Sequence, residues 1–221
     1  SLFEKAIQIK PDFVEAHYNL GIILQELGEF QKAIDSYEIA IKIQPNHLKT
    51  YNNLGTLLKQ LNKNQKAINY FEKAIQIKPN FVEAYYNLGL IFLDIEDHKK
   101  AITYFEKAVQ IKPEYVNPHF YLGAIFQEIK DYKKSIKYYE KVIIIQPNYI
   151  EAYNNLGIVF KEIKEFQKAI ICFKRAIKIN PNNTNTINSL AYFLKNLQLD
   201  NILNTNNDSL IELFLFLFRK N

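Results

Sequence analysis

The stretch VEAYYNLGLIFLDIEDHKKAITYFEKAVQIKPEY, residues 82–115, decides the fold. Its first half places Tyr85, Leu88, Ile91, Phe92 and Ile95 at helical spacing. A polar break follows at Glu96–Asp97, and a second helical pattern runs through Ala101, Phe105, Ala108 and Ile111. Pro113 ends that pattern, because a proline ring has no N–H to donate to the next helical bond. The stretch therefore reads as a helical hairpin 34 residues long.

The same 34-residue interval separates Pro11, Pro45, Pro79, Pro113, Pro147 and Pro181. A fixed period of that length means one supersecondary unit copied along the chain, and hairpins of equal length bury their apolar faces by stacking. Five full units follow: 14–47, 48–81, 82–115, 116–149 and 150–183. Half a unit precedes them at 1–13, where SLFEKAIQIKP matches YFEKAIQIKP at Tyr70–Pro79, so residue 1 reads as lying in mid-repeat. A degenerate unit follows at 184–203, and then a polar loop and an apolar helix over 204–221. In the first helices, Asp12, Asn80 and Asn148, each three residues before Glu15, Glu83 or Glu151, are expected to act as N-caps.

The unit Ala84-Tyr85-Tyr86-Asn87-Leu88-Gly89, with Ala101, Phe105, Ala108 and Pro113, resembles the tetratricopeptide repeat. The resemblance covers about residues 1–200 and implies an all-α, right-handed superhelix of stacked antiparallel helix pairs. Small–large alternation is its mechanical basis. Gly21, Gly55, Gly89, Gly123 and Gly157 let the first helix approach its neighbour, and Ala33, Ala67, Ala101 and Ala169 do so for the second. Tyr37, Phe71, Phe105, Tyr139 and Phe173 fill the space between. The fourth unit departs, with Ser135 and Val142 at the two alanine positions.

Composition fits packed helices: 48% hydrophobic residues, six glycines and a net charge of +5 without runs of like sign. Lysine supplies 26 of the 28 basic residues, a bias typical of AT-rich coding sequence rather than of a nucleic-acid stripe. The lone Cys172 excludes an internal disulfide framework and fits a reducing, cytoplasmic setting. No run reaches the roughly 20 apolar residues of a membrane span.

Residues that invite a catalytic reading have places in the repeat. His17 and His119 stand where other units carry Tyr51, Tyr85 and Tyr153; His98 stands with Phe30, Tyr132 and Phe166. His47 takes a loop place held elsewhere by Phe81 or Tyr115, and Cys172 takes the place of Tyr70, Tyr104 and Tyr138. No glycine-rich phosphate loop, nucleophilic triad or metal-ligand spacing is present, so the chain is expected to hold no catalytic centre, metal or cofactor.

The resemblance implies instead a concave groove, lined by first helices, that holds an extended peptide or a partner helix. Transferred unit by unit, it places Asn19, Asn53, Asn87 and Asn155 in the groove as a ladder of carboxamides, each carrying donors and an acceptor for a peptide backbone. Duplication alone would copy an asparagine, although asparagine inside a helix costs roughly half a kcal/mol relative to alanine. The ladder is similar to that of O-linked N-acetylglucosamine transferases and, less closely, of kinesin light chains. Tyr121 interrupts it, and Asn117-Pro118 is expected to restart that helix late, with Asn117 as cap. Phe120 and Tyr121 then form an aromatic spot that either anchors an apolar ligand side chain or repacks locally. Lys49, Asn53 and Asn87 match part of the carboxylate clamp that binds chaperone C-termini, but Asn117 and Tyr121 stand at its last two cationic positions, which argues against that role.

Along this face Lys49, Lys59 and Lys161 stand against Glu15, Glu26, Glu83, Asp94, Glu128, Glu151 and Glu162, three bases minus seven acids, or −4. A neutral or basic peptide is expected to suit the groove, and nucleic acid is not. The apolar segment Leu210–Phe218, about half the length needed to cross a bilayer, is expected to contact another domain, another subunit or a membrane surface. Two functions stay open: a non-catalytic scaffold for protein partners, or the substrate-recruiting arm of a larger enzyme, most plausibly a glycosyltransferase acting on peptides.

Overall fold

The computed structural model describes residues 2–195 and Leu215. Twelve α-helices and no strand occur among the described residues: α1 Leu2–Ile9, α2 Val14–Glu26, α3 Phe30–Ile43, α4 Leu48–Gln60, α5 Asn64–Ile77, α6 Val82–Asp94, α7 His98–Ile111, α8 Val116–Glu128, α9 Tyr132–Ile145, α10 Ile150–Glu162, α11 Phe166–Ile179 and α12 Thr184–Lys195. They form two compact units, Ser1–Pro113 and Glu114–Asn221, each a stack of helix pairs. The segment Leu210–Phe218, singled out as a contact surface, lies outside the described residues except for Leu215.

Within every pair the first helix meets the second through one glycine and one ring. A Cβ built at Gly89 would lie 2.5 Å from Cε1 of Phe105, a fully buried side chain. The same contact joins Gly21 to Tyr37, Gly55 to Phe71, Gly123 to Tyr139 and Gly157 to Phe173. The alanines at the remaining crossings are buried without exposure, so helices approach until backbone limits them. The fourth unit substitutes chemistry for closeness: the buried Ser135 Oγ donates to the Gly123 carbonyl at 2.9 Å, tying α9 to α8.

The turns correct two expectations. Asp12, Asn80 and Asn148 are not N-caps; Phe13, Phe81 and Tyr149 hold that position and make no side-chain cap bond. The reason is the preceding tight turn, closed by N–H to C=O bonds of 3.1, 3.0 and 3.1 Å from Phe13 to Lys10, Phe81 to Lys78 and Tyr149 to Gln146. Proline occupies its second position and Asp or Asn its third, as such turns favour, and the helix starts only after it. Side-chain caps occur elsewhere, where Asp97 and Asp131 accept from the Lys100 and Lys134 amides at 3.0 and 3.2 Å. Nor does Pro118 delay α8, which begins at Val116 like every other first helix, with Tyr115 and not Asn117 at the cap position. Pro118 is the third helical residue. In α2, α4 and α6 that amide only bonds the cap carbonyl, at 3.0–3.2 Å, so a proline there forfeits a bond outside the regular helical ladder.

First helices end in a residue with left-handed backbone: Gly28 at φ 77°, but Asn62, Glu96, Lys130 and Lys164 at 56–63°. Paired bonds such as Glu29 N–H to Leu24 C=O and Gly28 N–H to Gln25 C=O close this terminus. Only one of the five units uses the residue best suited to it.

Candidate functional site

The histidines and the cysteine take the structural places their positions suggest. His17 Nε2 lies 2.8 Å from the Pro11 carbonyl, where its counterpart Tyr85 donates its hydroxyl to the Pro79 carbonyl at 3.1 Å. His47 Nδ1 meets Thr50 Oγ1 at 2.6 Å, and its Nε2 is 3.3 Å from a Glu15 carboxylate oxygen. Cys172 is buried, and desolvation, with a smaller effect of Glu140, pushes its thiol up to about 12, away from nucleophilic use. No group of three or more His, Cys, Asp and Glu side chains among the described residues could hold a metal.

The four asparagines expected to form a ladder lie on first helices, and three of them bond across repeats. Asn53 Nδ2 donates to Tyr18 Oη at 3.1 Å, and Asn87 Nδ2 donates to Asn52 Oδ1 at 3.0 Å; each partner lies 35 residues earlier. For Asn155 that partner position is Phe120, which has no acceptor, and Asn155 Nδ2 donates instead to Tyr139 Oη at 3.0 Å. Asn19 has no such partner among the described hydrogen bonds, none of which reaches Oδ1 of Asn53, Asn87 or Asn155. Asn53, Asn87 and Asn155 thus use their amide protons on the stack, and among the described hydrogen bonds their carbonyl oxygens accept from no donor.

Two of the rungs carry a further device. Tyr37 Oη donates to Gln25 Oε1 at 3.2 Å, and Tyr139 Oη donates to Gln127 Oε1 at 3.0 Å. Each phenol is fully buried with its ring beside its glycine, and its hydroxyl meets Asn53 or Asn155 of the next first helix. Desolvation raises the Tyr37 hydroxyl to about 12, partly opposed by the Asn53 bond, and raises that of Tyr139 as well. Units with phenylalanine at this position have Lys59, Leu93 or Lys161 in place of the glutamine. The Tyr–Gln pairing was readable at a spacing of 12 residues, and sequence reasoning missed it.

Around the first of these clusters lies a cavity of about 340 Å³ lined by Ile22, Gln25, Glu26, Tyr37, Asn53, Thr56 and Gln60. Glu26 is its only charged group, and Glu26, Thr56 and Gln60 are exposed. Lys49 and Glu83 lie exposed in the first turns of α4 and α6, away from this lining. Lys59 and Asp94 join α4 to α6 through a 2.7 Å ion pair, which removes one base and one acid from the face. In the other unit Phe120 packs against Tyr121, Tyr139 and Tyr149 at centroid distances of 6.0, 5.8 and 5.3 Å. Phe120 is therefore held within the core margin, and Tyr121 is half-buried at the ladder position. Among the described residues no helix is long and apolar enough to cross a membrane.

Tetratricopeptide-repeat profiles match residues 12–80, 82–115, 116–149 and 150–183. No curated protein sequence matches the chain. Among solved structures, MamA protein is 26% identical over 76% of this chain and 92% of its own, with a TM-score of 0.68. YrrB, described as a TPR protein with an unusual peptide-binding site, is 21% identical over 86% of this chain and 97% of its own, with a TM-score of 0.69. The pilF protein of Pseudomonas aeruginosa is 19% identical over 86% of both chains, with a TM-score of 0.73. The last two identities speak to the fold alone.

Proposed function

Because the chain belongs to the tetratricopeptide repeat family, we propose that it is a protein-interaction scaffold whose first helices seat an extended peptide. The observation that carries this is the cavity beside Asn53. Three carboxamides, a threonine hydroxyl, a phenol and one carboxylate converge there; the Tyr37 hydroxyl, Gln25 Oε1 and Asn53 Nδ2 already bond within the protein, and Thr56, Gln60 and Glu26 stand exposed beside them. A peptide backbone offers alternating donors and acceptors that Gln25, Asn53 and Gln60 match without requiring a particular side chain. Glu26, with no cation in the lining, favours a neutral or basic peptide over an acidic one. YrrB, similar in fold, is described as holding a peptide-binding site.

The remaining ladder residues Asn19, Asn87 and Asn155 extend the same reading along each stack, with Lys49 and Glu83 as rim charges and Tyr121 beside Phe120 as an aromatic anchor. The likeness to glycosyltransferase repeat regions rests on these same asparagines alone, so the scaffold reading is the one carried forward. Selection from a random peptide library against the full chain tests it. Selected peptides should be neutral or basic, and Thr56→Val with Gln60→Ala, two exposed changes, should weaken them by about tenfold or more. Equal binding by that double variant would refute the site.

A further inference from the structure

The outer surface of the second compact unit departs from its own repeat pattern at several neighbouring positions. In α7 and α9 the tyrosine two residues before Glu106 or Glu140 stacks on a phenylalanine of the preceding first helix. Tyr104 lies on Phe92 at 5.3 Å and 7°, and Tyr138 lies on Phe126 at 5.6 Å and 1°. The opposite side of each phenylalanine carries a lysine, Lys100 or Lys134, 4.8 Å from the ring centroid. The tyrosines also touch a second ring, Tyr85 or His119. In α11 the lysine remains, Lys168 at 5.4 Å from Phe160, and so does the second ring, Tyr153, but Cys172 stands where the tyrosine would be. Among the described residues no ring stacks on Phe160 in this way, although Phe160, 6% exposed, is as buried as Phe92 and Phe126.

The surroundings have changed in step. Ile171 replaces Asp35, Asn69, Thr103 and Lys137, and Ile144 replaces Lys42, Gln76, Gln110 and Lys178. These two isoleucines are 65% and 71% exposed, on a surface that every other unit keeps polar. Two cavities meet at Ile171 and Cys172. One, of about 450 Å³, is walled by Phe160, Leu156, Ile143, Ile144, Lys168 and Glu140. The other, of about 600 Å³, is walled by Tyr153, Lys174, Arg175 and Lys178. Four basic side chains and one carboxylate line the two cavities; Lys168 is already paired with Glu165 at 2.8 Å, and Lys174 stands where Glu38, Glu72, Glu106 and Glu140 stand in the other units.

We propose that this outer face is a second docking surface, which takes an aromatic side chain from an acidic partner segment into the slot between Tyr153 and Phe160. The chain itself specifies the occupant's shape, since the neighbouring repeats fill the equivalent slot with a ring parallel to the phenylalanine. The ring gains a stacking face and apolar burial against Ile144 and Ile171. Its flanking carboxylates meet Lys168, Lys174, Arg175 and Lys178. The charge preference is opposite to that of the first-helix face, so the two sites would hold different partners.

The test uses the full chain and a short synthetic peptide with one central phenylalanine flanked by aspartates and glutamates. Saturable binding should shift the amide signals of Phe160, Ile171 and Cys172. Cys172→Tyr, which installs the ring found in α7 and α9, should lower the affinity by about tenfold or more without lowering thermal stability. Cys172→Ala should leave binding in place, and Ile171→Thr, the residue of the α7 unit, should weaken it by a few-fold. Replacing the peptide's phenylalanine by alanine, or its acids by lysines, should abolish binding. The proposal is overturned if the acidic peptide does not saturate the chain, or if Cys172→Tyr and Ile171→Thr bind it as the unaltered chain does. It is also overturned if an oligothymidylate takes the slot in competition. Sedimentation showing self-association that Cys172→Tyr abolishes would assign the slot to a second copy of the chain and overturn it too.

Discussion

Gly89→Ala should be among the more damaging single-methyl changes in the chain, and its cost can be worked from two opposing effects. In a helix interior alanine is better than glycine by about 0.8–1.0 kcal/mol, so the backbone alone favours the substitution. Against that, the new Cβ would sit 2.5 Å from Cε1, 2.6 Å from Cδ1 and 2.9 Å from Cζ of Phe105, whereas ordinary contact begins at 3.4 Å. The ring, with no exposure, must retreat by 3.4 − 2.5, or 0.9 Å, through close-packed neighbours. Overpacking on that scale costs about 1–3 kcal/mol, and the upper end applies where three ring atoms clash together. The net loss should be about 2 kcal/mol. At Gly157 the nearest ring atoms of Phe173 lie at 3.0 Å, so a retreat of 0.4 Å suffices, and cost and propensity nearly cancel.

Comparing the two variants removes the shared propensity gain and leaves the clash. Urea unfolding followed by far-ultraviolet circular dichroism should show a lowered midpoint for Gly89→Ala and little change for Gly157→Ala. Because stacked repeats depart from all-or-none unfolding, the decisive measurement is local: a double-mutant cycle with Phe105→Leu, which makes room for the new methyl group. A favourable coupling of about 1–2 kcal/mol between Gly89→Ala and Phe105→Leu is expected. Additive effects, or a Gly157→Ala variant as unstable as Gly89→Ala, would refute the argument that glycine is present here for the ring.

Three further outcomes are expected. Glu96→Gly and Lys130→Gly, at exposed positions with φ of 61° and 62°, should each raise stability by about 1 kcal/mol, while Gly28→Ala at φ 77° should lower it similarly, all read from unfolding midpoints. Ser189→Asn should stabilise the packing of α12 on α10 by about 1 kcal/mol, because Asn154 Oδ1 is buried without a partner among the described residues and a ladder asparagine 35 residues on would supply the donor that Asn87 supplies to Asn52; protection of the α12 amides from hydrogen exchange reports it. Tyr37, Tyr70 and Cys172 all have values raised to about 12 by burial, so the stability they hold in the protonated form is complete below their unfolded values, near 10 for the phenols and 9 for the thiol, and is lost as pH rises towards 12. Midpoints measured up that range should fall, and Cys172→Ala should delay the onset.

The period, the helix pairs and the glycine–ring contacts were legible because each repeats at a fixed offset and each is enforced by local sterics. The turn chemistry was misread for a definite reason. Pro-Asp and Pro-Asn look like the start of a capped helix, yet the same residues complete a tight turn first, and Phe13, Phe81 and Tyr149 take the cap position. Pro118 was misplaced by the same logic, since a proline marks the first turn of a helix without saying which residue of that turn it occupies. The bonds of the asparagine ladder could not be read from the ladder itself. They depend on what stands 35 residues earlier, which is Tyr18 for Asn53, Asn52 for Asn87 and the acceptor-free Phe120 for Asn155.

Function in such a stack resides where copies stop agreeing. Agreement among the repeats is sufficiently explained by packing: glycines and rings recur because the two helices of each pair must close on one another. Disagreement has to be explained residue by residue. The exchange of phenylalanine for tyrosine at positions 37 and 139 is accompanied by Gln25 and Gln127, and it adds a hydrogen-bonded hydroxyl between the two helices of the pair at two of the five units. That is more polarity than the helix pair needs to fold, since Phe71, Phe105 and Phe173 fill the same space without it. The exchange of tyrosine for Cys172 does the reverse on the outer face, removing a ring that the fold could have kept and adding Ile144 and Ile171 beside the gap. On these two departures rest the two proposed sites, one for a peptide backbone and one for an aromatic ring among acids. Reverting them separately, Tyr37→Phe with Gln25→Leu on one face and Cys172→Tyr on the other, should leave the stack intact and remove one binding activity at a time; loss of both activities from either reversion would show that the two faces are not independent.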